Sequence, residues 1–513
     1  MTVAPPPRSS SARGADTPAA MSRRVKIVAT VGPATADRES LRALLAAGAD
    51  VLRLNLSHGD HAWHRERVAI ARELADEAGR HLPVIFDLTG PRFRLGAMAE
   101  PRTLAADEEV TLGPPDSGAD LPVDDPALLA RLDRGERVLI DQGLVELRIG
   151  ARRGESVAAR VVAGGEVGSR KGINLPDSDI GFAVTDKDRR DIEFAIAEGA
   201  DYLAASYVAT PEDLASLRGA VRAAGGQVPL IAKLERARAV EDRNLDRLIA
   251  AADAVMVARG DLGVEVPLPR VPVLQKRIVR AGRLLARPVI VATQMLESMM
   301  VQPRPTRAEA TDVANAVLDG ADALMLSGET AAGRHPVESV ATMVRIIDET
   351  EDYGRRAMAA PSDLRRADAA APAGPGALGH LEEAGAVDIP DVVSAAAVYA
   401  AREAGATRLV AFSQSGATGR LIARYRPTAP IAVFTNRDDV ARRLRLVWGV
   451  EPYLVADRLD HHDEVIEMMD RELLARGLAR PGELIVVTMG DPIRERPHTN
   501  LLRLHRVRGS KSG

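Results

Sequence analysis

The sequence contains no cysteine among its 513 residues. This absence excludes disulfide bonds, a thiol nucleophile and thiolate metal ligands, and it agrees with a reducing cytoplasm, where we expect the protein to reside. Aromatic residues make up only 3% of the chain, so its cores must be built from Ala, Val, Leu and Ile. No apolar run approaches the roughly 20 residues that span a bilayer, and we expect no membrane partner.

An excess of charge of one sign is also missing. The chain has 68 Lys and Arg against 72 Asp and Glu, a formal net charge of -4, which gives no sign of bulk nucleic-acid binding. Residues 1–23 are rich in Pro, Ser and Ala and lack the apolar segment of a secretory signal. They predict a disordered tail, within which Met21 could be the translation start. Partners must therefore be sought in local sites.

From Val25 onward, short apolar runs alternate with helical stretches. The runs are VKIVATVG, DVLRLNLSHG, PVIFDLTG, DYLAASYV, PLIAKLE, AVMVARGD, PVIVATQ and ADALMLSGET. Eight strand-helix units predict an α/β fold, a closed (β/α)8 TIM barrel, although periodicity alone leaves an open doubly wound sheet as an alternative. No internal repeat beyond this alternation is evident.

Polar residues at the ends of these runs favour the barrel. They are Thr30, Asn55 with Ser57, Asp87, Ser206, Lys233 with Glu235, Arg259 with Asp261, Thr293 with Gln294, and Ser327 with Glu329. In a barrel all strand ends converge on one mouth, where active sites are built, whereas an open sheet would spread them along an edge.

Composition shifts divide the rest of the chain. The strand alternation after PVIFDLTG predicts an inserted small β-barrel that covers the mouth as a lid. A Pro/Gly/Ala-rich stretch predicts a linker before a final α/β domain. The predicted boundaries are 24–91 and 181–352 for the barrel, 92–180 for the lid, 353–388 for the linker and 389–508 for the C-terminal regulatory domain.

Two neighbouring runs end in charged residues, PLIAKLE and AVMVARGDLG. Side chains alternate along a strand with period two, so Lys233 and Glu235 should point the same way. The purely structural interpretation of this pair is a salt bridge at a strand end. The glycine turn in ARGDLG argues for a binding site instead, because backbone N–H groups at a helix start attract anions.

Several longer motifs resemble those of pyruvate kinase. They are KIVATVGPAT, LRLNLSHGDH, MVARGDLGVEV, PVIVATQMLESM, PRPTRAEATDVANAVLDGADALMLSGETAAGRHP and TNLLRLHRV, and the resemblance runs in order from about Val25 to Val507. It implies phosphoryl transfer from phosphoenolpyruvate to ADP, giving pyruvate and ATP, in the last step of glycolysis. The family is typically a homotetramer.

The resemblance also assigns site residues. It implies that Glu235 and Asp261 hold Mg2+ or Mn2+, and that Lys233 and Arg53 contact the phosphoryl group. The amides of Gly260 and Asp261 would hold the substrate carboxylate. Proton delivery to the enolate carbon would involve Thr293, acting through water, with Ser327 in support; for Thr293 a plain strand-end hydrogen bonder remains the alternative.

A monovalent cation site is implied at Asn55, Ser57, Asp87 and the carbonyl of Leu88, but the residues after it depart from the family pattern. The family usually shows Asp-Thr-Lys-Gly-Pro followed by Glu or Lys, and Lys goes with potassium independence. Here Arg92 occupies that position. A fixed cation about 4 Å from the pocket would repel K+ by about 4 kcal/mol at an effective dielectric near 20. We therefore expect that K+ could bind but is not required.

The nucleotide and effector sites carry over less directly. Pro33, His58, Arg94 and the lid residue Lys171 match family positions around ADP, although His58 could equally cap or pack a helix. In the last domain, AFSQSGATGR places hydroxyl and glycine residues before a helix, namely Ser413, Ser415, Gly416 and Thr418. These predict a phosphorylated allosteric effector, with a simple helix cap as the alternative.

Two other functions are compatible with part of these sequence features. A metal-dependent lyase or aldolase on a similar barrel would explain Glu235 and Asp261 but neither the lid nor a nucleotide site. The second rival is a regulator that binds a phosphorylated metabolite with an inactive barrel. The presence of Lys233 and Thr293 argues against this function. A second departure, Glu235-Arg-Ala-Arg-Ala in place of Glu-Asn-x-Glu-Gly, makes the loop after the catalytic strand more basic.

Overall fold

A computed structural model describes residues 23–178, 181–359, 388–456, 461–490 and 498–509. The predicted tail, apart from its last residue, and residues 360–387 of the predicted linker lie outside these ranges.

Eight parallel strands close into a barrel in the order β1-β17-β16-β15-β14-β13-β3-β2. The predicted TIM barrel is thus confirmed, and the open-sheet alternative is wrong. The strands are β1 Lys26–Val31, β2 Val51–Asn55, β3 Val84–Asp87, β13 Tyr202–Ala205, β14 Leu230–Leu234, β15 Ala254–Ala258, β16 Val289–Ala292 and β17 Ala323–Leu326. Because a parallel strand is covered on both faces, nearly every residue in them is buried.

Helices surround the barrel and pack on it through their apolar faces. They are α1 Arg38–Ala47, α2 His61–Glu77, α4 Asp186–Ala197, α5 Pro211–Ala223, α6 Asp242–Ala251, α7 Arg259–Glu265, α8 Val271–Leu284, α9 Arg307–Asp319, α10 Gly328–Ala331 and α11 Pro336–Ala359. No helix among the described residues is long and apolar enough to cross a bilayer.

A repeated aspartate marks the floor of the barrel, opposite the mouth. An Ala-Asp pair precedes four strands, and each carboxylate accepts an N–H from the first or second residue of the neighbouring strand. The pairs are Asp50 with Ile27, Asp201 with Val84, Asp253 with Leu230 and Asp322 with Val289. This small repeat is not among the sequence-based predictions, and its reason is physical: those N–H groups are buried donors without a strand partner.

The lid is made of β4–β12, with the short helix α3 Pro126–Leu129. Its strands are Phe93–Arg94, Arg102–Leu104, Glu109–Gly113, Leu121–Pro122, Arg137–Ile140, Val145–Arg153, Ser156–Ala163, Gly165–Val167 and Gly172–Asn174. Seven form a sheet in the order β4-β12-β8-β9-β10-β6-β7, and β11 pairs with β5. A single bridge between Leu95 and Val123 joins the two edges, so the lid is a partial barrel.

The C-terminal domain is a five-stranded sheet, β20-β19-β18-β21-β22, in which only β22 runs antiparallel to its neighbour. Its elements are α12 Ile389–Glu403, β18 Arg408–Phe412, α13 Ala417–Ala423, β19 Ile431–Thr435, α14 Asp438–Leu444, β20 Val450–Leu454, α15 His462–Ala475, β21 Leu484–Gly490 and β22 Thr499–Arg506. This confirms the predicted α/β domain.

Arginines of this domain bind the aspartates of the barrel floor. Asp50 pairs with Arg445 at 2.9 Å, Asp201 with Arg442 at 2.6 Å and Asp322 with Arg426 at 3.0 Å. Leu446 also joins the core inside the barrel. The two domains are therefore held together by buried ion pairs around an apolar contact.

Helix α11 continues to Ala359, seven residues into the segment predicted as linker from 353. Charge pairs one turn apart support this extension, Arg355 with Glu351 at 3.8 Å and Arg356 with Asp352 at 2.8 Å. The composition shift on which the prediction relies begins only after these pairs.

Candidate active site

Lys233 lies at the centre of the barrel mouth, between two buried carboxylates. Its ammonium is 2.8 Å from Oε1 of Glu235 and 3.3 Å from Oδ1 of Asp87, and it donates to the Ser206 hydroxyl at 2.8 Å. Burial lowers the pKa of Lys233, but the two carboxylates outweigh it and raise the pKa above its ordinary value. The lysine is therefore held charged at physiological pH.

Arg53 supplies a second cation beside Lys233. It points from the middle of β2 to Oδ2 of Asp87, at 2.7 Å from Nε and 2.6 Å from Nη2, and also donates to the Thr30 hydroxyl at 3.1 Å. Asp87 is thus shared by two cations, and a guanidinium and an ammonium group that lie side by side are suited to contact a phosphate group.

Among the acids of the site, Glu235 is the one whose negative charge is least completely compensated. Its Oε2 accepts the Tyr207 N–H at 2.8 Å, whereas Oε1 has only the ion pair with Lys233 and no well-aligned hydrogen bond among the described residues. Burial raises the pKa of Glu235, the ammonium of Lys233 lowers it and the carboxylate of Asp261 raises it. The resulting pKa is about 7. A carboxylate in this state needs another positive charge.

A divalent metal ion fits this need. The predicted ligands Glu235 and Asp261 would offer two hard oxygens to such an ion, which would take substrate oxygens and water at its other positions. Among the described residues, no group of three or more acidic or histidine side chains could hold a metal by itself.

Gly260 and Thr293 are joined directly. The N–H of Gly260, at the start of α7, donates to the Thr293 hydroxyl at 2.8 Å, and that hydroxyl donates to the Ala292 carbonyl at 2.7 Å. Asp261 is the next residue of the same helical turn. Lys233, Glu235, Asp261 and Thr293 are therefore brought to one rim of the barrel.

The backbone that carries Thr293 is strained. Thr293 and Gln294 have φ values of 67° and 53°, a region that costs a non-glycine residue about 1–3 kcal/mol. Arg259 folds back onto this turn and donates to the carbonyls of Ala292 at 3.3 Å, Thr293 at 2.7 Å and Gln294 at 3.3 Å. Its Nη1 also pairs with Asp312 at 2.6 Å, so the arginine itself is fixed.

Ser327 lies at the end of β17 with a buried hydroxyl that has no hydrogen-bond partner among the described residues. Its N–H is held by Glu329 at 2.7 Å, and the other oxygen of Glu329 accepts the Leu296 N–H at 3.0 Å. The predicted Ser327 is thus rigidly placed with an unused donor.

The oxygens predicted to bind a monovalent cation already have partners within the protein. The carbonyl of Leu88 accepts the Ser206 hydroxyl at 2.8 Å, and Oδ1 of Asn55 accepts the Ser57 N–H at 3.1 Å. The Ser57 hydroxyl contacts that of Thr89 at 3.2 Å. Asp87, the fourth ligand, is bound by Arg53 and Lys233 as described above.

Arg92 is placed on the other side of Glu235. Its Nε donates to the Tyr207 hydroxyl at 3.1 Å, and the guanidinium lies 5.7 Å from the centre of that ring. Burial and Glu235 raise the pKa of Tyr207 to about 12, although Arg92 lowers it. Tyr207 therefore stays neutral and connects Arg92 to the acidic side of the site.

A cavity of about 300 Å³ separates the lid from the barrel mouth. Arg94 and Lys171 line it together with Arg92, Asp261 and Glu265. Lys171 pairs with Asp141 at 2.6 Å. Two of the predicted nucleotide contacts thus face the same space as a predicted metal ligand.

The other two predicted nucleotide contacts do not line this cavity. Pro33 is exposed and begins a short 3-10 turn, Pro33–Thr35. His58 is also exposed, and its carbonyl accepts a hydrogen bond from the ring of His64 at 2.8 Å.

In the C-terminal domain, the predicted effector loop precedes α13. Gly416 has a φ of 75°, which favours glycine, and Ser415 accepts the Ala417 N–H at 3.4 Å. Ser413 is buried with its N–H bonded to the carbonyl of Phe434 at 3.0 Å, and Thr418 is bonded to the Thr499 hydroxyl at 2.8 Å. The N-cap of this helix is Gly416, and no side chain caps it, so the alternative of a simple Ser/Thr helix cap is wrong, whereas the effector site stays a prediction.

Three residues that build this site have no role among the sequence-based predictions: Ser206, Tyr207 and Arg259. In the sequence Ser206 and Arg259 are visible only as polar strand ends. Tyr207 carries no signal at all, and its φ of 62° emerges only from the structure.

A closed barrel with a lid, whose mouth gathers buried cations, acids and a strained hydroxyl residue, defines a barrel enzyme for an anionic substrate. Residues 22–340 match the family model for the pyruvate kinase barrel domain, and residues 391–505 match that for the pyruvate kinase alpha/beta domain. The chain belongs to the pyruvate kinase family and is a glycolytic enzyme.

Relatives over nearly the full length support this assignment. The chain is 42% identical over 496 residues to a pyruvate kinase of Mycobacterium tuberculosis, covering 95% of this chain and 99% of the relative. It is 41% identical over 490 residues to that of Corynebacterium glutamicum, covering 94% and 98%. A crystal structure of a pyruvate kinase from Cryptosporidium parvum superposes with a TM-score of 0.82 at 30% identity, covering 94% of this chain and 96% of that one. Membership implies phosphoenolpyruvate and ADP as substrates and a divalent metal as cofactor.

Proposed function

We propose that the chain transfers the phosphoryl group of phosphoenolpyruvate to ADP with Mg2+ or Mn2+ held by Glu235 and Asp261. The carrying observation is the buried charge arrangement in which Lys233 is shared by Glu235 and Asp87. Phosphoryl transfer depends on positioning and charge stabilisation more than on covalent catalysis, and the metal would neutralise phosphate charge.

In this proposal Lys233 and Arg53 contact the phosphoryl group, while the amides of Gly260 and Asp261 bind the substrate carboxylate. The Gly260 N–H donates to the Thr293 hydroxyl at 2.8 Å, so a carboxylate that takes this N–H releases the hydroxyl at the same time. The phosphorus–oxygen bond of the ester breaks as the bond to the terminal oxygen of ADP forms. The enolate carbon then takes a proton from water ordered by Thr293, with Ser327 in support.

The finer proposals concern the monovalent cation, the effector and nucleotide sites, and the location and assembly of the enzyme. K+ is not required, because Lys233 and Arg53 provide positive charge at Asp87, whereas Arg92, the residue predicted to replace K+, is bonded to Tyr207 on the acidic side of the mouth. Ser413, Ser415, Gly416 and Thr418 bind a phosphorylated effector, and Arg94, Lys171, Pro33 and His58 contact the nucleotide. The enzyme works in the cytoplasm as a homotetramer.

A coupled assay for pyruvate tests the reaction. Pyruvate should form from phosphoenolpyruvate only when ADP and a divalent metal are both present. Formation without ADP would favour a lyase, and no formation would favour a binding protein without activity.

The role of Lys233 is tested by Lys233→Met, which should lower kcat by about a hundredfold or more because it removes charge stabilisation of the transition state. Lys276→Met on the exposed surface of α8 is the matched control, since its side chain is 60% exposed and pairs with Asp319. An unchanged kcat in Lys233→Met would remove that lysine from the mechanism.

A further inference from the structure

Arg92 lies where the chain leaves the barrel for the lid, after β3 ends at Asp87 and immediately before β4. It lines the cavity of about 300 Å³ between the lid and the barrel mouth, together with Arg94 and Lys171. Its guanidinium donates to the Tyr207 hydroxyl, and among the described residues it contacts none of the oxygens predicted to bind K+. Arg92 therefore faces the side of the mouth where the nucleotide contacts are predicted.

The two terminal nitrogens of Arg92 are unoccupied. Nε is engaged by the Tyr207 hydroxyl at 3.1 Å, but Nη1 and Nη2 have no hydrogen-bond partner within the described part of the chain. No described carboxylate lies within ion-pair distance of this guanidinium either, whereas Lys171 is paired with Asp141 at 2.6 Å. Arg92 thus presents two adjacent N–H donor groups, and a charge without a direct partner, to the cavity.

Tyr207 fixes the position of this guanidinium. Besides the hydrogen bond to its hydroxyl, its ring centre lies 5.7 Å from the guanidinium, within the range of a cation–π contact. The backbone of Tyr207 has a φ of 62°, which residues other than glycine rarely adopt, and its N–H donates to Glu235 at 2.8 Å. One residue therefore holds a predicted metal ligand through its main chain and Arg92 through its side chain.

The two predicted metal ligands act on Arg92 from the barrel side. Partial desolvation lowers the pKa of Arg92, but Tyr207 and the carboxylates of Glu235 and Asp261 raise it above its ordinary value. Phosphoryl transfer requires the terminal phosphate of the nucleotide to approach this acidic side in line with the transferring group. A phosphate that arrives through the cavity would therefore lie beside Arg92.

We propose that Arg92 contacts the terminal phosphate of ADP through Nη1 and Nη2, and that Tyr207 is the positioning residue that orients it. A guanidinium binds phosphate oxygens through two parallel N–H donors, which a single ammonium group cannot supply. The proposal rests on the proposed function, because the nucleotide is a substrate in that reaction. It adds to the predicted contacts of Arg94 and Lys171 one that recognises the phosphate at which the reaction occurs.

Calorimetry on the full-length chain, with Mg2+ and without phosphoenolpyruvate, compares ADP with AMP, which lacks the terminal phosphate. Arg92→Gln should weaken ADP binding by about tenfold or more, the factor that one charge-assisted hydrogen bond produces, and should change AMP binding by less than about twofold. Arg92→Lys keeps the charge but loses the paired donors, so it should weaken ADP binding by a smaller factor. If Arg92→Gln does not fold, Arg92→Lys carries the test.

Tyr207→Phe removes the hydroxyl and keeps the ring. It should weaken ADP binding by about three- to tenfold, as expected for one hydrogen bond, but only while Arg92 is present. The double variant Tyr207→Phe with Arg92→Gln should bind ADP no more weakly than Arg92→Gln alone, because a residue that acts through another has no effect once that residue is removed. In kinetics, KM for ADP should rise in these variants, whereas KM for phosphoenolpyruvate should stay unchanged.

Two matched control variants remove the same groups elsewhere. Arg160→Gln alters an arginine of the lid that is 72% exposed. Tyr202→Phe removes a hydroxyl at the opposite end of β13, where it donates to the Arg443 carbonyl at 3.2 Å. Both variants should bind ADP like the unaltered chain.

The proposal is overturned if Arg92→Gln binds ADP like the unaltered chain, or if it weakens ADP and AMP binding equally. An equal effect of Tyr207→Phe with and without Arg92 would reject the positioning role. Unchanged ADP binding together with a new dependence of the rate on K+ in Arg92→Gln would mean that Arg92 replaces K+ instead. ADP binding that depends on Arg92, without pyruvate in the coupled assay, would reject the proposed function but keep the nucleotide contact.

Discussion

Arg259→Lys is the substitution that most directly tests how the strained turn at Thr293 is held. Arg259 donates to three consecutive carbonyls and pairs with Asp312. A lysine keeps the charge but has a single nitrogen, so it cannot reach all of these acceptors. Thr293 would then be free to leave its φ of 67°.

The magnitude follows from the contacts. A hydrogen bond to a charged group contributes about 1.5–3 kcal/mol, so the loss of two would destabilise the fold by roughly 3–6 kcal/mol. Relief of backbone strain at Thr293 and Gln294, about 1–3 kcal/mol each, would offset part of this loss. Activity should suffer more than stability, because a displacement of about 1 Å at a reacting group can lower the rate by about a hundredfold. We expect kcat to fall by about ten- to a hundredfold.

Steady-state kinetics and urea denaturation of the same preparations check this prediction. The matched control is Arg218→Lys at the barrel floor, where the arginine similarly binds a carbonyl, Ala251 at 3.1 Å, and a carboxylate, Asp253 at 3.0 Å. The control should lose stability but keep its kcat. If Arg259→Lys behaved in the same way, Arg259 would be a structural residue without a positioning role.

Two further predictions concern ionic conditions. Burial raises the pKa of Asp50, but Arg23, Arg445 and Lys26 outweigh it and lower the pKa to about 2. A carboxyl group whose pKa is lower in the folded than in the unfolded chain, where it is about 4, stabilises the fold at pH values above 4. For Asp50 this stabilisation, about 2 kcal/mol, should disappear as the pH falls from about 4 toward 2. Thermal unfolding at pH 5 and pH 3 measures this: the difference in unfolding temperature between Asp50→Asn and the unaltered chain should be smaller at pH 3. An equal difference at both pH values would contradict the prediction. For K+, initial rates should be equal with K+ and with tetramethylammonium, and a large stimulation by K+ would end the proposal that it is not required.

The sequence was sufficient for the architecture because the relevant signals are local. Apolar runs covered on both faces predicted the barrel strands, and polar residues at their ends predicted the mouth. Strand periodicity alone placed Lys233 and Glu235 on one side. The alternative interpretation, a salt bridge at a strand end, describes a real contact of 2.8 Å between Lys233 and Glu235. This pair also lies beside Asp87, and the charge of Asp261 raises the pKa of Glu235.

Other features depend on which surfaces meet, and the sequence left them open. Nothing near Thr293 in the chain shows that its hydroxyl accepts the Gly260 N–H, or that Arg259 holds its carbonyl. The aspartates before the barrel strands and the arginines of the C-terminal domain look like ordinary surface charges until the two domains come together. Periodicity encodes which face of an element is buried, but the partner of a long charged side chain is chosen by tertiary packing.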